Sequence, residues 1–269
     1  MFPTDSSTLI DLSIGLEADA ESEPWPPEID YFDHAEGAQL LADRLTEIGG
    51  SDVTVEDFPE EIGLAWETIS AITHTGTHMD APWHYGPTVG TGENEQPART
   101  IDQIPLEWCH GSAVVLDFTW MDPGAEINPA DIDGALEDLD HELSPGEIVL
   151  LETGADSLWG QPEYLTEFPG MSAAATKSLV ERGVTVIGTD AYGFDKPFAE
   201  LGARFAETGD SAELWPAHFA GRAVEYCQIE KMANLDRLPR RTDVPLVAFP
   251  ISIADASAGW VRPVAVFED

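Results

Sequence analysis

Short runs of β-branched and aliphatic residues recur along the chain: TLIDLSI (8–14), ETISAIT (67–73), SAVVLDF (112–118), EIVLLET (147–153), VTVIGTD (184–190), AVEYCQI (223–229), PLVAFPISI (245–253) and RPVAVF (262–267). Such runs read as strands. Between them lie three helical patterns. EGAQLLADRLTEI spans 36–48, NPADIDGALEDLD (128–140) has Asn128 placed as N-cap and Pro129 at the first helical position, and SAAATKSLVERG (172–183) is Ser-capped and Gly-terminated. The alternation predicts an α/β protein with a mixed sheet. Neither an internal repeat nor a low-complexity linker interrupts it, so one domain over residues 1–269 is expected. Two segments, 17–30 and 86–105, are rich in Pro, Gly or Glu and read as long loops, which in compact domains are often functional.

Composition sharpens this picture. With 269 residues, 43% of them hydrophobic and eight of them Trp, the chain can bury a large core and reads as folded. The 51 acidic residues outweigh 12 basic ones for a net charge of -39. That imbalance costs stability through self-repulsion unless ionic strength is high. The cations are mostly the weakly hydrated kind, nine Arg against Lys177, Lys196 and Lys231. Together these features read as halophilic adaptation. Abundant aromatics and dispersed charge exclude a disordered acidic protein, and the negative field excludes nucleic acid and anionic membrane as partners. Cys109 and Cys227 are too few for a disulfide framework and read as reduced core thiols. No 18-residue apolar run exists, and MFPTDSSTLIDLS lacks the pattern of a signal peptide, so a cytoplasmic location is expected.

The candidate chemistry is concentrated in AITHTGTHMDAPWHYG (71–86), which holds His74, His78, Asp80 and His84. Two imidazoles and a carboxylate are a usual catalytic zinc set and suit manganese or iron as well. On a helix, Asp80 would lie about 240° round from His74, which loses the third ligand. In a straight strand His74 and His78 would stand about 13 Å apart, too far to chelate. The chain must therefore bend between them, and Gly76 is the residue able to supply the bend. The strand 67–73 is then expected to deliver His74 to its end, with Asp80 and Pro82 completing a rigid loop. His84 reads either as a further ligand or as a proton shuttle, since an unperturbed imidazole suits acid and base work.

The stretch HTGTHMDAPWH fills the pattern H-x-G-T-H-x-D-x-P-x-H, and the chain resembles the cyclase-family metal hydrolases, which include bacterial kynurenine formamidases and isatin hydrolases. The second half of that signature is matched by AHFAGRAVEYCQIEKMANLDRL, where His218 and Glu230 stand twelve apart. DLS (11–13), the Trp25 of PWPPE, RTIDQIP (99–105), Thr153-Gly154 and GTD (188–190) follow in the family's order. The resemblance implies a swivelling β/β/α-type fold. It implies that His74, His78 and Asp80 bind a first divalent ion, Zn or Mn, and that in two-metal members Asp80 bridges to a second ion held by His218 and Glu230. It further implies His84 as the proton-transfer residue, Trp25 as a substrate contact, a small-molecule substrate and a homodimer or larger homo-oligomer. Residues alone would not separate Glu230 from Glu225; the twelve-residue spacing does. His34, His110 and His141 match no such spacing and read as structural or surface residues.

Two departures bear on the substrate: added sequence around YFDHAEGAQLLADRLTEIG, and Glu152 before Thr153 where arginine is common in the family. The implied reaction is hydrolysis of a C–N bond in a small amide, formamide or lactam by a metal-activated water, with no Ser or Cys nucleophile. No G-x-S-x-G elbow is present. An ester, lactone or dehydratase-type reaction, or a metal-binding protein without catalysis, are the alternatives.

Overall fold

The computed structural model describes residues 7–268, so residues 1–6 of the N-terminal stretch read above lie outside the described residues. The chain forms two compact units. The smaller comprises Glu17–Asp19 and Trp25–Ile72; the larger comprises the chain up to Leu16, Ala20–Pro24 and the chain from Thr73 onward.

In the smaller unit, strands Glu28–Phe32 and Trp66–Ser70 form an antiparallel pair with Phe32 opposite Trp66. Helix α1 (His34–Gly49) follows the first of them. Asp33 caps α1 by accepting from the backbone N–H groups of Ala35 (2.8 Å) and Glu36 (3.0 Å), while Glu36 accepts in return from Asp33 N at 3.1 Å. Two orphan donors are thereby satisfied reciprocally. The helix buries only Gly37, Ala38 and Ala42, and a Cβ on Gly37 would meet the Leu64 carbonyl oxygen. The end of segment 17–30 is thus a strand and not loop. EIDYF has too polar a pattern to be recognised alone, and the strand expected over 67–73 to deliver His74 at its end runs only Trp66–Ser70, pairs with EIDYF and stops short of His74.

The larger unit is organised on nine described strands: β1 (Ser7–Asp11), β2 (His78–Asp80), β3 (His110–Asp117), β4 (Ile148–Glu152), β5 (Val186–Thr189), β6 (Cys227–Glu230), β7 (Val244–Val247), β8 (Ala258–Trp260) and β9 (Val264–Glu268). Their order is β1-β9-β7-β3-β4-β5-β6-β2-β8. The run β3-β4-β5-β6 is parallel and the remaining pairs are antiparallel, the mixed sheet expected from sequence. Successive side chains of a strand point to opposite faces. Ala113 and Val115 of β3 accordingly join one cluster with Leu150, Ile229 and Leu246. Val114 and Leu116 join another with Val149, Leu151 and Ile187. A strand covered on both faces must be apolar at every position, which accounts for the unbroken AVVL and IVLL runs.

Helix α2 (Pro82–Tyr85) follows β2; α3 (Pro129–Asp138) and α4 (Ala173–Glu181) cover the second cluster with Ile132, Leu136, Ala175 and Leu179. Asn128 and Ser172 occupy the expected caps, and Ser172 Oγ accepts from Ala175 N at 3.1 Å. Helices α5 (Phe198–Thr208) and α6 (Pro216–Ala220) are not among the elements expected from sequence, although α5 spaces Phe198, Leu201 and Phe205 at helical intervals between Pro197 and Gly209. The run 245–253 yields a strand only as far as Val247, short of Pro250, which has no N–H to give a ladder. Strands β2 and β8 have three residues each, too few for a periodicity to register. Cys109 and Cys227 are free and buried, as expected. No helix among the described residues is long and apolar enough to cross a membrane.

Candidate metal centre

Strand β2 lies between β6 and β8, and its register decides what meets what. His78 stands opposite Glu230 of β6 and Trp260 of β8, and Asp80 stands opposite Gln228 and Ala258. His78 and Asp80, two apart on one strand, share a face. The expectation that Asp80 and Pro82 complete a loop is therefore corrected: Asp80 is a strand residue paired on both sides, and after Ala81 the chain enters helix α2 at Pro82. The bend at Gly76 is present, with φ at 64° in the left-handed region. It turns His74 back so that Nδ1 lies 2.8 Å from Asp80 Oδ1, while His78 Nε2 lies 3.3 Å from the same oxygen.

Helix α2 starts at Pro82, whose missing N–H costs nothing at that position, and carries His84 to within 3.9 Å of Asp80 Oδ2. Helix α6 brings His218 Nε2 to 3.8 Å from Asp80 Oδ2 and 3.5 Å from Glu230 Oε1. His78 Nε2 lies 3.7 Å from Glu230 Oε2. The ligand atoms of His74, His78 and Asp80 fall within 4.8 Å of one another, and so do those of Asp80, His84 and His218. Six of the seven sequence candidates thus meet around one carboxylate. The seventh, Trp25, belongs to the smaller unit and is exposed. Glu225, the rival of Glu230, pairs with Arg99 at 2.7 Å. His141 pairs with Glu147 at 3.0 Å and His110 packs on Phe249, the structural roles expected of them.

The ring nitrogens are oriented from behind. His78 Nδ1 meets the Gly76 carbonyl at 2.8 Å, which as a donor leaves Nε2 with its lone pair toward Asp80. His218 Nδ1 meets Asp195 Oδ2 at 2.5 Å, and Asp195 also accepts from the backbone of Ala217 (2.7 Å) and His218 (3.1 Å). His74 Nε2 bonds Ser257 Oγ at 3.1 Å. A carboxylate or carbonyl behind a ligating imidazole fixes its tautomer and ring direction. Asp195 and Ser257 were not found by sequence reasoning. Neither stands at a fixed offset from its histidine, so no spacing signals them.

Titration behaviour divides these groups. Burial works to raise the Asp80 carboxyl, but the imidazoles of His84, His74 and His78 outweigh it and hold the group well below the usual carboxylate range. Burial and the nearby Asp80 charge raise Glu230. Burial lowers His84 to about 4, against the pull of Asp80 and with help from the His74 and His218 rings. His218 goes the other way: burial would lower it, yet the Asp195 hydrogen bond and charge push it up to about 9.

The residues fit a divalent cation. Oδ2 of the fully buried Asp80 and Nε2 of His78 have no hydrogen-bond partner among the described residues, and Asp80 Oδ1 meets only His74 Nδ1, at 2.8 Å. Leaving such groups unpaired costs about 1–3 kcal/mol each, and more for a charged one. Imidazole nitrogens and carboxylate oxygens gathered at one point, all acceptors when deprotonated, are a ligand set for a metal ion and not for an anion.

The family model described as Putative cyclase matches residues 10–196, which include His74, His78, Asp80 and His84 and stop short of His218 and Glu230. The chain is 28% identical over 192 residues to a kynurenine formamidase of Salinibacter ruber, covering 71% of this chain and 75% of that one. It is 25% identical over 213 residues to an isatin hydrolase of Roseibium aggregatum, covering 76% and 75%. Among solved structures, isatin hydrolase A from Labrenzia aggregata bound to benzyl benzoate superposes with a TM-score of 0.71 at 24% identity, over 98% of this chain and 95% of that one. That likeness shows the same α/β fold with a mixed sheet.

Proposed function

Because the chain belongs to the Putative cyclase family, we propose that it is a metal-dependent hydrolase cleaving the C–N bond of a small amide, formamide or lactam, an arylformamidase- or isatin hydrolase-like activity. The observation that carries this reading is the buried Asp80 carboxylate ringed by His74, His78, His84 and His218, with Oδ2 and His78 Nε2 left without a hydrogen-bond partner among the described residues. The curated relatives named as kynurenine formamidase and isatin hydrolase support the substrate class.

In this reading His74, His78 and Asp80 would hold a first ion, and His218 and Glu230, sharing Asp80, would hold a second. Zn or Mn, as one ion or two, suits the mixed nitrogen and oxygen set. When bound, the metal supplies Lewis-acid activation of the attacking water and of the scissile carbonyl. The two carboxylates offset its charge. His84, lowered to about 4 and so neutral near pH 7, stands beside the centre as a base with a free proton-accepting nitrogen. It takes the proton that water loses as the C–O bond forms and returns it to the leaving nitrogen as the C–N bond breaks. Trp25 is the substrate contact in this reading, and residues 1–269 act as one hydrolase domain, assembled as a homodimer or larger homo-oligomer in the cytoplasm.

The direct test is hydrolysis of N-formylkynurenine and isatin, with and without a chelator, alongside metal analysis. Chelator-sensitive turnover of either supports the reading. Tight metal with no turnover on a panel of amides, lactones and esters would overturn it in favour of metal binding without catalysis.

The acidic surface we assign to halophilic adaptation. With a net charge of -39, the melting temperature is expected to fall as KCl drops from about 2 M to about 0.1 M, because the Debye length grows to about 10 Å. A melt indifferent to salt would give the acidity another cause.

A further inference from the structure

The chain has three lysines against 51 acidic residues. Lys177 and Lys196 make ion pairs with the exposed Glu181 at 3.6 Å and the half-buried Glu126 at 3.3 Å. The third, Lys231, is 3% exposed and directly follows Glu230. An ammonium is buried only at heavy cost unless its donors are taken. Here they are: Nζ bonds Glu23 Oε1 at 2.8 Å, Glu23 Oε2 at 2.7 Å and the His74 carbonyl at 3.0 Å. Glu23 is buried as well, and its Oε1 also accepts from Gly76 N at 2.8 Å.

The pair therefore grips the turn between His74 and His78 at two backbone points, the carbonyl of one ligand and the N–H of the glycine whose own carbonyl orients the other. The Lys231 backbone joins in, its carbonyl accepting from Thr77 Oγ1 at 2.5 Å. Lys231 is held at φ 58°, a region where a long side chain is strained and persists only when its surroundings over-determine it. Stability alone does not account for such an arrangement, since replacing a buried ion pair by apolar groups of like volume is often neutral or favourable.

We propose that Glu23 and Lys231 are positioning residues for the metal centre: they hold the His74–Gly76–His78 turn in the shape that converges both imidazoles on Asp80, and so set the affinity for the ion. This inference rests on the metal-dependent reading above. Neither side chain touches the ion's ligand atoms; both act through the backbone.

The test uses the full chain freed of metal, with Zn2+ affinity measured by chelator competition and the metal-free melting temperature recorded beside it. Lys231→Met leaves Glu23 buried and charged, and is expected to melt low. The double variant Glu23→Gln/Lys231→Met removes both charges, keeps an amide oxygen for Gly76 N–H and leaves the His74 carbonyl without its donor. It is expected to melt near the wild type yet bind Zn2+ at least about tenfold more weakly, the usual worth of groups that orient metal ligands. Zn2+ affinity within about twofold of wild type in that variant would overturn the proposal. If the double variant does not fold, Glu23→Gln alone decides: its amide nitrogen faces the Lys231 ammonium, so weaker Zn2+ binding is expected and unchanged binding overturns the proposal. A wild-type chain that binds neither Zn2+ nor Mn2+ would sink the metal reading itself, and this inference with it, an outcome distinct from the others.

Discussion

His84 and His218 stand at nearly equal distances from the same oxygen of Asp80, 3.9 and 3.8 Å, yet their surroundings make them opposites. His218 is buried in α6 with Nδ1 locked on Asp195, and its affinity for a proton is pushed up to about 9 by that carboxylate. His84 ends in a one-turn helix with its side chain 34% exposed, no hydrogen bond to its ring among the described residues, and a pKa lowered to about 4. Distance to a carboxylate thus says little about role. A ring fixed from behind can only point, whereas a neutral ring with no hydrogen bond to its nitrogens can take up a proton and give it back. The locked ring suits a ligand and the free one a shuttle.

The largest effect tests the oxygen that the two histidines share. Asp80→Ala is expected to lose bound metal and activity together, down to background, because it removes the one group common to both triads of ligand atoms. Full metal stoichiometry in that variant would dissolve the comparison, since neither ring would then be facing a metal centre.

Next in size is His84→Ala. It is expected to keep its metal and lose about 10²- to 10⁴-fold in rate, the usual worth of a positioned acid or base. The loss should shrink on a substrate whose leaving group is already a weak base and needs little protonation. Equal losses on activated and ordinary amides, or loss of the metal, would place His84 with His218 as a ligand.

The smallest of the three acts on the lock. Asp195→Asn removes the charge behind His218 and sets an amide donor among the three N–H groups that Asp195 now accepts. Metal affinity is expected to fall about 10- to 100-fold, with the rate at saturating metal largely kept. A variant that binds metal as the wild type does would show that packing in α6 suffices to aim His218.

Much of this molecule is written in local sequence. The unbroken aliphatic runs of β3 and β4 and the capped helices α3 and α4 are legible because burial on two faces, or a cap beside a 3.6-residue period, leaves its mark within ten residues or so. The cluster of His74, His78, Asp80 and His84 is legible for the same reason, and so is the need for a bend at Gly76. What sequence by itself could not decide was where these side chains go. That Asp80 is a strand residue, that β6 lies beside β2 with Glu230 across from His78, and that Glu225 turns away to Arg99 are matters of register between segments about 150 residues apart. The resemblance to a family could supply the pairing of His218 with Glu230 but not its cause. Asp195, Ser257 and the Glu23–Lys231 pair left no trace at all. Each acts on a residue distant in the chain, from 22 residues between Ala217 and Asp195 to 208 between Lys231 and Glu23, and a contact of that kind has no periodicity or fixed offset through which one chain could announce it.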